Sequence, residues 1–265
     1  MSDASLTIRG RTGLWALLGS QSGFMKVSGA VLPFVSVLAF AVTAVGLVWG
    51  WNAPLDYQQG ETVRIMYVHV PAAWFAMFCY MVMAFSAVGT LVWNHPMAGI
   101  SIRAAAPIGA AFTLICLITG SLWGRPMWGT WWVWDARLTS VFILLLMYLG
   151  IIALGRTLDD PERAEKPVAI LVLVGVVNIP IIKFSVDIWN TLHQPASVIR
   201  MDGPTIHPTM LWPLIICAVG FSLVFLALHL AEMRNEVRAR RIARLRKLSV
   251  RLSRGGPSTA MLEKA

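Results

Sequence analysis

Charge is what this sequence has least of: 13% of its 265 residues are Asp, Glu, Lys or Arg, about half the share of a soluble domain. That is too little to cover a globular surface, and it excludes a water-soluble enzyme and a disordered chain alike. Cysteine is also scarce. Cys79, Cys116 and Cys217 are the only three, with no C-x-x-C among them, so neither a disulfide framework nor a thiol-redox motif is present. Each falls inside an apolar stretch and reads as a small packing residue. No phosphate-cradling Gly-rich loop and no nucleophile–base pair at a recognisable spacing occurs. The one acidic pair, Asp159-Asp160, sits in a mixed-charge connector that reads as solvated. An independent enzyme finds no support.

Apolar residues fill the space that charge leaves. They make up 57% of the chain, the mean hydropathy is +0.68, and they gather in six runs: about 30–50, 68–93, 104–122, 138–155, 167–184 and 208–230. At 1.5 Å per residue such runs reach ~27–39 Å, enough for a hydrocarbon core of ~30 Å. They are continuous rather than alternating, which selects helices over a barrel. The predicted class is an all-α integral membrane protein with six transmembrane helices. Pro71, Pro167 and Pro208 are expected in first helical turns, and Pro180 is expected to kink or end the fifth span.

Short loops set the orientation. Arg9, Arg11, Lys26, Arg103, Arg156, Arg163 and Lys166 share one side with the basic tail; Arg64, Arg125, Arg137, Lys183 and Arg200 lie on the other. The first side carries more positive charge, so both termini are expected in the cytoplasm, with outer connections near 51–67, 123–137 and 185–207. Three regions follow: an N-terminal cytoplasmic segment, 1–29; a six-helix membrane domain, 30–230; and a basic cytoplasmic tail, 231–265. The tail holds ten Lys/Arg against three Glu. It therefore accounts for most of the +9 net charge, and no nucleic-acid partner is implied. Val237, Ile242, Leu245, Leu248 and Leu252 fall at roughly helical spacing within it. That pattern fits a basic amphipathic helix on an anionic lipid leaflet and equally a solvated helical tail.

Tryptophan is concentrated. Five of twelve, Trp123, Trp128, Trp131, Trp132 and Trp134, fall in the expected second outer connection. An interfacial belt loads both membrane surfaces, whereas here Trp49, Trp51, Trp74, Trp189 and Trp212 join those five towards the outer side, against Trp15 and Trp93 inside. Three open indoles expose roughly 450–750 Å², more than a protein usually leaves uncovered. A platform for a flat aromatic ligand explains this better than a belt. Gly124 and Gly129 are expected to turn the chain, and Thr130, Asp135 and Arg137 to add polar contacts at the rim.

Of five histidines, His95 and His229 lie at inner ends and read as packing residues. His69, His193 and His207 belong to the outer side. His69 is expected near a helix N-terminus, where the partial positive charge favours neutral imidazole. A lone His in such a place is more often structural than a ligand. Two of them flanking a Trp-rich loop describe haem iron better than zinc, which takes three or four close protein ligands. With no C-x-x-C-H, any haem is held without covalent attachment.

The run Trp128-Gly-Thr-Trp-Trp-Val-Trp-Asp-Ala-Arg-Leu-Thr-Ser140 resembles the tryptophan signature of the haem-handling proteins of cytochrome c biogenesis. Six spans and two outer histidines narrow the resemblance to the haem exporter protein C family of the bacterial cytochrome c maturation system. Tyr57-Gln-Gln-Gly60, His69-Val-Pro-Ala-Ala73 and Trp189-Asn-Thr-Leu-His193-Gln are similar to that family as well. The resemblance covers residues 30–230. It implies that His69 and His193 are axial ligands of a transiently bound b-type haem, and that Trp123, Trp128, Trp131, Trp132, Trp134 and Asp135 form the platform. It further implies a multi-pass protein of the bacterial inner membrane. The implied partners are a membrane-anchored periplasmic haem chaperone, the two subunit types of an ABC transporter, a small single-span subunit and membrane lipid. Arg137, Arg125 and Arg64 are candidate propionate contacts, since guanidinium matches carboxylate geometry; Asp135 either joins the platform or holds Arg137 or a loop N–H. The role of His207 stays open. Two rival readings are a permease that moves haem or another apolar substrate through the bundle, and a subunit that only docks the ABC transporter.

Overall fold

The computed structural model describes residues 19–158, 160–193 and 197–254, with side chains to Val250. Arg9, Arg11, Trp15, Asp159 and Gln194, named above, lie outside the described residues. The described chain is almost wholly helical: α1 (Gln21–Trp51), a 3-10 turn (Glu61–Ile65), α2 (Met66–Trp93), α3 (Ala98–Trp128), α4 (Ala136–Thr157), α5 (Pro161–Gly175), α6 (Asn178–Ile188) and α7 (Pro208–Arg254). With the 3-10 turn joined to α2 and α5 to α6, six runs are long and apolar enough to cross a membrane, as expected.

Successive spans pack antiparallel, so the bundle has a tryptophan end and a basic end. α2 and α3 form its centre. Phe75, Phe112, Phe221 and Phe225 tilt against one another along the axis, and His229 stacks on Phe225 at 5.2 Å. Polar groups inside such a core need partners of their own. Accordingly Tyr148 donates to the Ala76 carbonyl at 2.7 Å and Thr113 to that of Gly109 at 2.7 Å. The three cysteines are buried and unpaired, as packing residues should be. α1 is largely exposed and leans on α7 through small residues. A Cβ added to Gly46 would lie 2.8 Å from Cys217 Sγ, and one added to Gly220 would lie 2.6 Å from Thr43 Oγ1. Gly220→Leu is therefore expected to separate the two helices and cost about 1–3 kcal/mol, seen as a lower unfolding midpoint in detergent; an unchanged midpoint contradicts this close approach.

Several boundaries differ from expectation. α3 runs on to Trp128 instead of stopping at Leu122, ending where Gly129 takes φ 75° and its N–H bonds the Arg125 carbonyl. Gly124 is thus helical. Its missing Cβ leaves room for the Trp128 ring, whose Cε3 would be 2.9 Å away. Pro71 and Pro167 lie inside their helices, and it is Pro161 that opens α5.

The fifth span breaks at Val176-Val177, ahead of Pro180. Proline has no N–H for the Val176 carbonyl, which instead takes Ile179 N–H at 3.0 Å, while Val176 N–H turns back to Leu173. That leaves the Val172 carbonyl free, and the Tyr80 hydroxyl fills it at 3.1 Å. Asn178 beside the break donates to the Ser140 carbonyl at 2.9 Å.

α7 has 47 residues, ~70 Å of helix, more than twice the hydrocarbon thickness. The basic stretch is thus the continuation of the last span. It packs on the first turns of α5, so the acidic residues there are not simply solvated: Arg240 meets Glu165 at 2.6 Å as well as Glu236 of its own helix at 2.9 Å, and Arg244 meets Glu162 at 2.5 Å. Met233 and Val237 are buried against Phe24, Met97 and Ile100.

Candidate functional site

The tryptophan end is assembled around the last turns of α3. Residues four apart share a helix face, and Thr119 and Trp123 both address His69 of α2. Thr119 Oγ1 lies 3.0 Å from His69 Nδ1, and the Trp123 ring meets the imidazole edge-on, centroids 5.6 Å apart at 81°. Gly120 sits between them with no side chain; a Cβ there would stand 2.9 Å from His69 Cε1. Trp123 is itself aimed from the preceding loop. Asp56 Oδ1 accepts the N–H groups of Gln58 and Gln59 at 2.9 and 2.8 Å, an Asx turn completed at Gly60, φ 55°. Gln59 Oε1 then accepts Trp123 Nε1–H at 2.8 Å.

The helix N-terminus expected beside His69 is displaced. The 3-10 turn runs directly into α2, and Met66 N–H is already bonded to the Arg64 and Val63 carbonyls. His69 therefore faces no free helix end, and its polar neighbour is Thr119.

His193 is built in the same way from the other side. Its ring meets Trp128 at 4.9 Å and 65°, and its Nδ1 lies 3.6 Å from Asp135 Oδ2. Asp135 also caps α4, Oδ1 accepting Leu138 N–H at 2.7 Å. Burial pushes the His193 imidazole below its usual range, against the pull of the Asp135 carboxylate. The Nδ1 edge of the ring faces the carboxylate, at a separation longer than a hydrogen bond.

The other tryptophans divide. Trp132 and Trp134 meet each other at 5.4 Å and both meet Phe142 of α4 edge-on. Trp131 lies under the Arg125 guanidinium at 5.9 Å. Trp134 is 74% and Trp131 56% exposed. Only these three belong to the α3–α4 connection, because Trp123 and Trp128 ride on α3.

The candidate cations have structural partners. Arg137 ties α4 to α6, donating to Ser185 Oγ at 3.1 Å and to the Ile182 and Lys183 carbonyls. Arg125 donates to the Gly129 carbonyl at 2.5 Å. Arg64 pairs with Glu61 and covers Trp51. His207 is exposed and caps α7: its carbonyl accepts Met210 and Leu211 N–H, and Nδ1 lies 2.8 Å from Thr209 Oγ1. Thr119 and Gly120 carry site geometry that the sequence does not single out, whereas Gln59 belongs to the Tyr57-Gln-Gln-Gly60 run noted above. The one available signal was the i, i+4 spacing of Thr119 and Trp123.

Among the described residues no group of three or more His, Cys, Asp or Glu forms a metal cage, which fits zinc poorly. Two imidazoles edged by indoles fit an iron whose other four ligands come with its own macrocycle.

Comparison with known proteins gives the family. A family profile described as heme exporter protein C matches residues 14–248. The chain is 56% identical over 228 residues to heme exporter protein C of Bradyrhizobium diazoefficiens, covering 86% of this chain and 87% of that one. It is 50% identical over 211 residues to the Escherichia coli protein of that name, covering 79% and 85%. Against the Paracoccus denitrificans protein it is 46% identical over 223 residues, covering 84% and 92%. With six membrane-spanning runs and a family match over most of its length, the chain belongs to the heme exporter protein C family.

Proposed function

We propose that the protein binds haem at the periplasmic face of the bacterial inner membrane and presents it to a membrane-anchored haem chaperone for cytochrome c maturation. His69 and His193 are the axial ligands. The observation that carries this reading is that each histidine has Nδ1 turned to an oxygen, Thr119 Oγ1 or Asp135 Oδ2, and an indole set against its ring. Such partners fix ring orientation in metal-ligating histidines. Bound haem supplies the iron, and the chain orients its ligands. Trp123 and Trp128 hold the imidazoles, while Trp131 and Trp134 offer open aromatic surface to the porphyrin or the chaperone. Arg137 and Arg125 are the proposed propionate contacts, since among the described residues no hydrogen bond is made by Arg137 Nη1 and Arg125 lies beside the exposed Trp131. Docking of ABC transporter subunits and of a small single-span subunit is part of the same reading.

Truncating the open rings tests presentation separately from ligation. A Trp131→Ala/Trp134→Ala variant is expected to keep a low-spin haem spectrum and to lose about tenfold in transfer to the chaperone, about 1.4 kcal/mol for the lost contact area. Transfer at the wild-type rate contradicts the role given to these rings.

The broken fifth span offers a specific reason to weigh a permease, since discontinuous helices line many transport sites. The freed Val172 carbonyl is filled by Tyr80 and Asn178 is bonded to Ser140. The neighbouring cavity of about 350 Å³ is lined chiefly by apolar residues such as Met147, Leu171 and Val174. These features support a packed kink better than a polar conduit.

A further inference from the structure

The Thr119 hydroxyl has one proton and spends it on the backbone. Its oxygen lies 2.6 Å from the Ile115 carbonyl and 3.3 Å from that of Cys116, the helical back-bond of a threonine four residues on. A carbonyl only accepts, so the hydroxyl donates there. Towards His69 Nδ1, 3.0 Å away, the same oxygen is left with lone pairs alone and accepts. Nδ1 therefore carries the hydrogen, and in a neutral imidazole Nε2 is then the bare nitrogen. Among the described residues Nε2 of His69 takes part in no hydrogen bond, and it is not one of the sealed unpartnered atoms. The ring is held from two sides: Trp123 stands against it, and Cε1 lies so near Gly120 of α3 that a Cβ there would be 2.9 Å away.

We propose that Thr119 is a positioning residue that holds His69 in the Nδ1–H tautomer and so presents Nε2 to iron. The inference rests on His69 being a haem ligand and adds the group that makes it one. In the opposite tautomer the ring hydrogen sits on Nε2, which removes the lone pair that iron needs, and the hydroxyl would have to abandon the Ile115 carbonyl to donate to Nδ1. A chemically similar neighbour is found on His193, but its Nδ1–Asp135 separation of 3.6 Å exceeds a hydrogen bond and fixes no tautomer there.

Thr119→Val keeps the shape and deletes the acceptor; Thr119→Ser keeps the hydroxyl. In full-length protein labelled with 15N-histidine, the haem-free wild type and Thr119→Ser should show His69 with Nδ1 protonated and Nε2 bare. Thr119→Val should populate the Nε2–H form. Haem titration monitored by the Soret band should show Thr119→Val weaker by at least ~10-fold, the lower range for a lost ligand partner, with Thr119→Ser near wild type. His69→Ala runs in parallel. If His69→Ala loses haem while Thr119→Val matches wild type in both measurements, the positioning role is overturned and the ligand assignment stands. Equal losses in Thr119→Val and Thr119→Ser overturn it too, since the hydroxyl is then not the cause. If His69→Ala binds as wild type, the ligand assignment fails and the proposal fails with it.

Discussion

Protein carrying both His69→Ala and His193→Ala is expected to purify without haem. On the proposed reading each imidazole supplies one axial bond, and among the described residues no group of three or more His, Cys, Asp or Glu stands ready to replace them. Disturbing a ligand's partner alone usually costs 10–100-fold in metal affinity, so removing both ligands should exceed ~100-fold. The single variants should differ from the double. Each leaves iron with one protein ligand and an open position, expected as weaker binding with a high-spin Soret band. The fold should survive, because neither ring is fully buried and each contacts mainly the end of α3 and the adjoining loops. Wild-type haem content in the double variant would place the ligands elsewhere, with His207 the next candidate on that face.

The largest expected loss of stability lies at the opposite end of the bundle. The Arg240 side chain is 6% exposed and bridges Glu165 and Glu236, themselves 18% and 17% exposed. Arg103 reaches Glu236 from α3 at 3.1 Å, and Gly99 makes room for the Glu165 carboxylate. Removing one member of a buried ion group strands the others. Arg240→Ala should therefore cost about 3–5 kcal/mol, read as a large drop in the unfolding midpoint in detergent and poor membrane yield. Arg240→Lys keeps the charge but lacks the fork that reaches two carboxylates, and should fall between. An unchanged midpoint in Arg240→Ala would mean that the α7 extension is not clamped to α5. The paired site histidines lie at the far end of the bundle, so haem bound by whatever Arg240→Ala protein folds should keep its wild-type spectrum.

Much of this architecture is legible in the chain because hydropathy reports spans directly: six apolar runs give six crossing helices. Their ends are less legible, for reasons visible residue by residue. Arg125-Pro126 reads as the start of a loop, yet α3 continues through it because Pro126 loses only one backbone bond and Gly129 supplies the stop. The kink expected around Pro180 falls upstream because the missing N–H is felt by the carbonyl four residues before it. The basic tail reads as a separate segment, since periodicity shows an apolar stripe and not what covers it. The Glu165–Arg240 contact spans 75 positions.

At the site, tryptophan crowding and histidine placement are visible from composition. The way they are held is not. Thr119 is an ordinary residue in an apolar helix, and its importance emerges only when α2 brings His69 beside it. Arg137 shows the converse: placed by sequence at the rim, it is bonded largely across to α6.

The central claim is paired histidine ligation of haem at the tryptophan end. The most direct test is the absorption spectrum of detergent-purified protein, oxidised and reduced, set beside His69→Ala and His193→Ala. Paired ligation predicts a low-spin Soret band in the wild type that each single substitution weakens or shifts. Haem bound with a spectrum indifferent to both substitutions would contradict it.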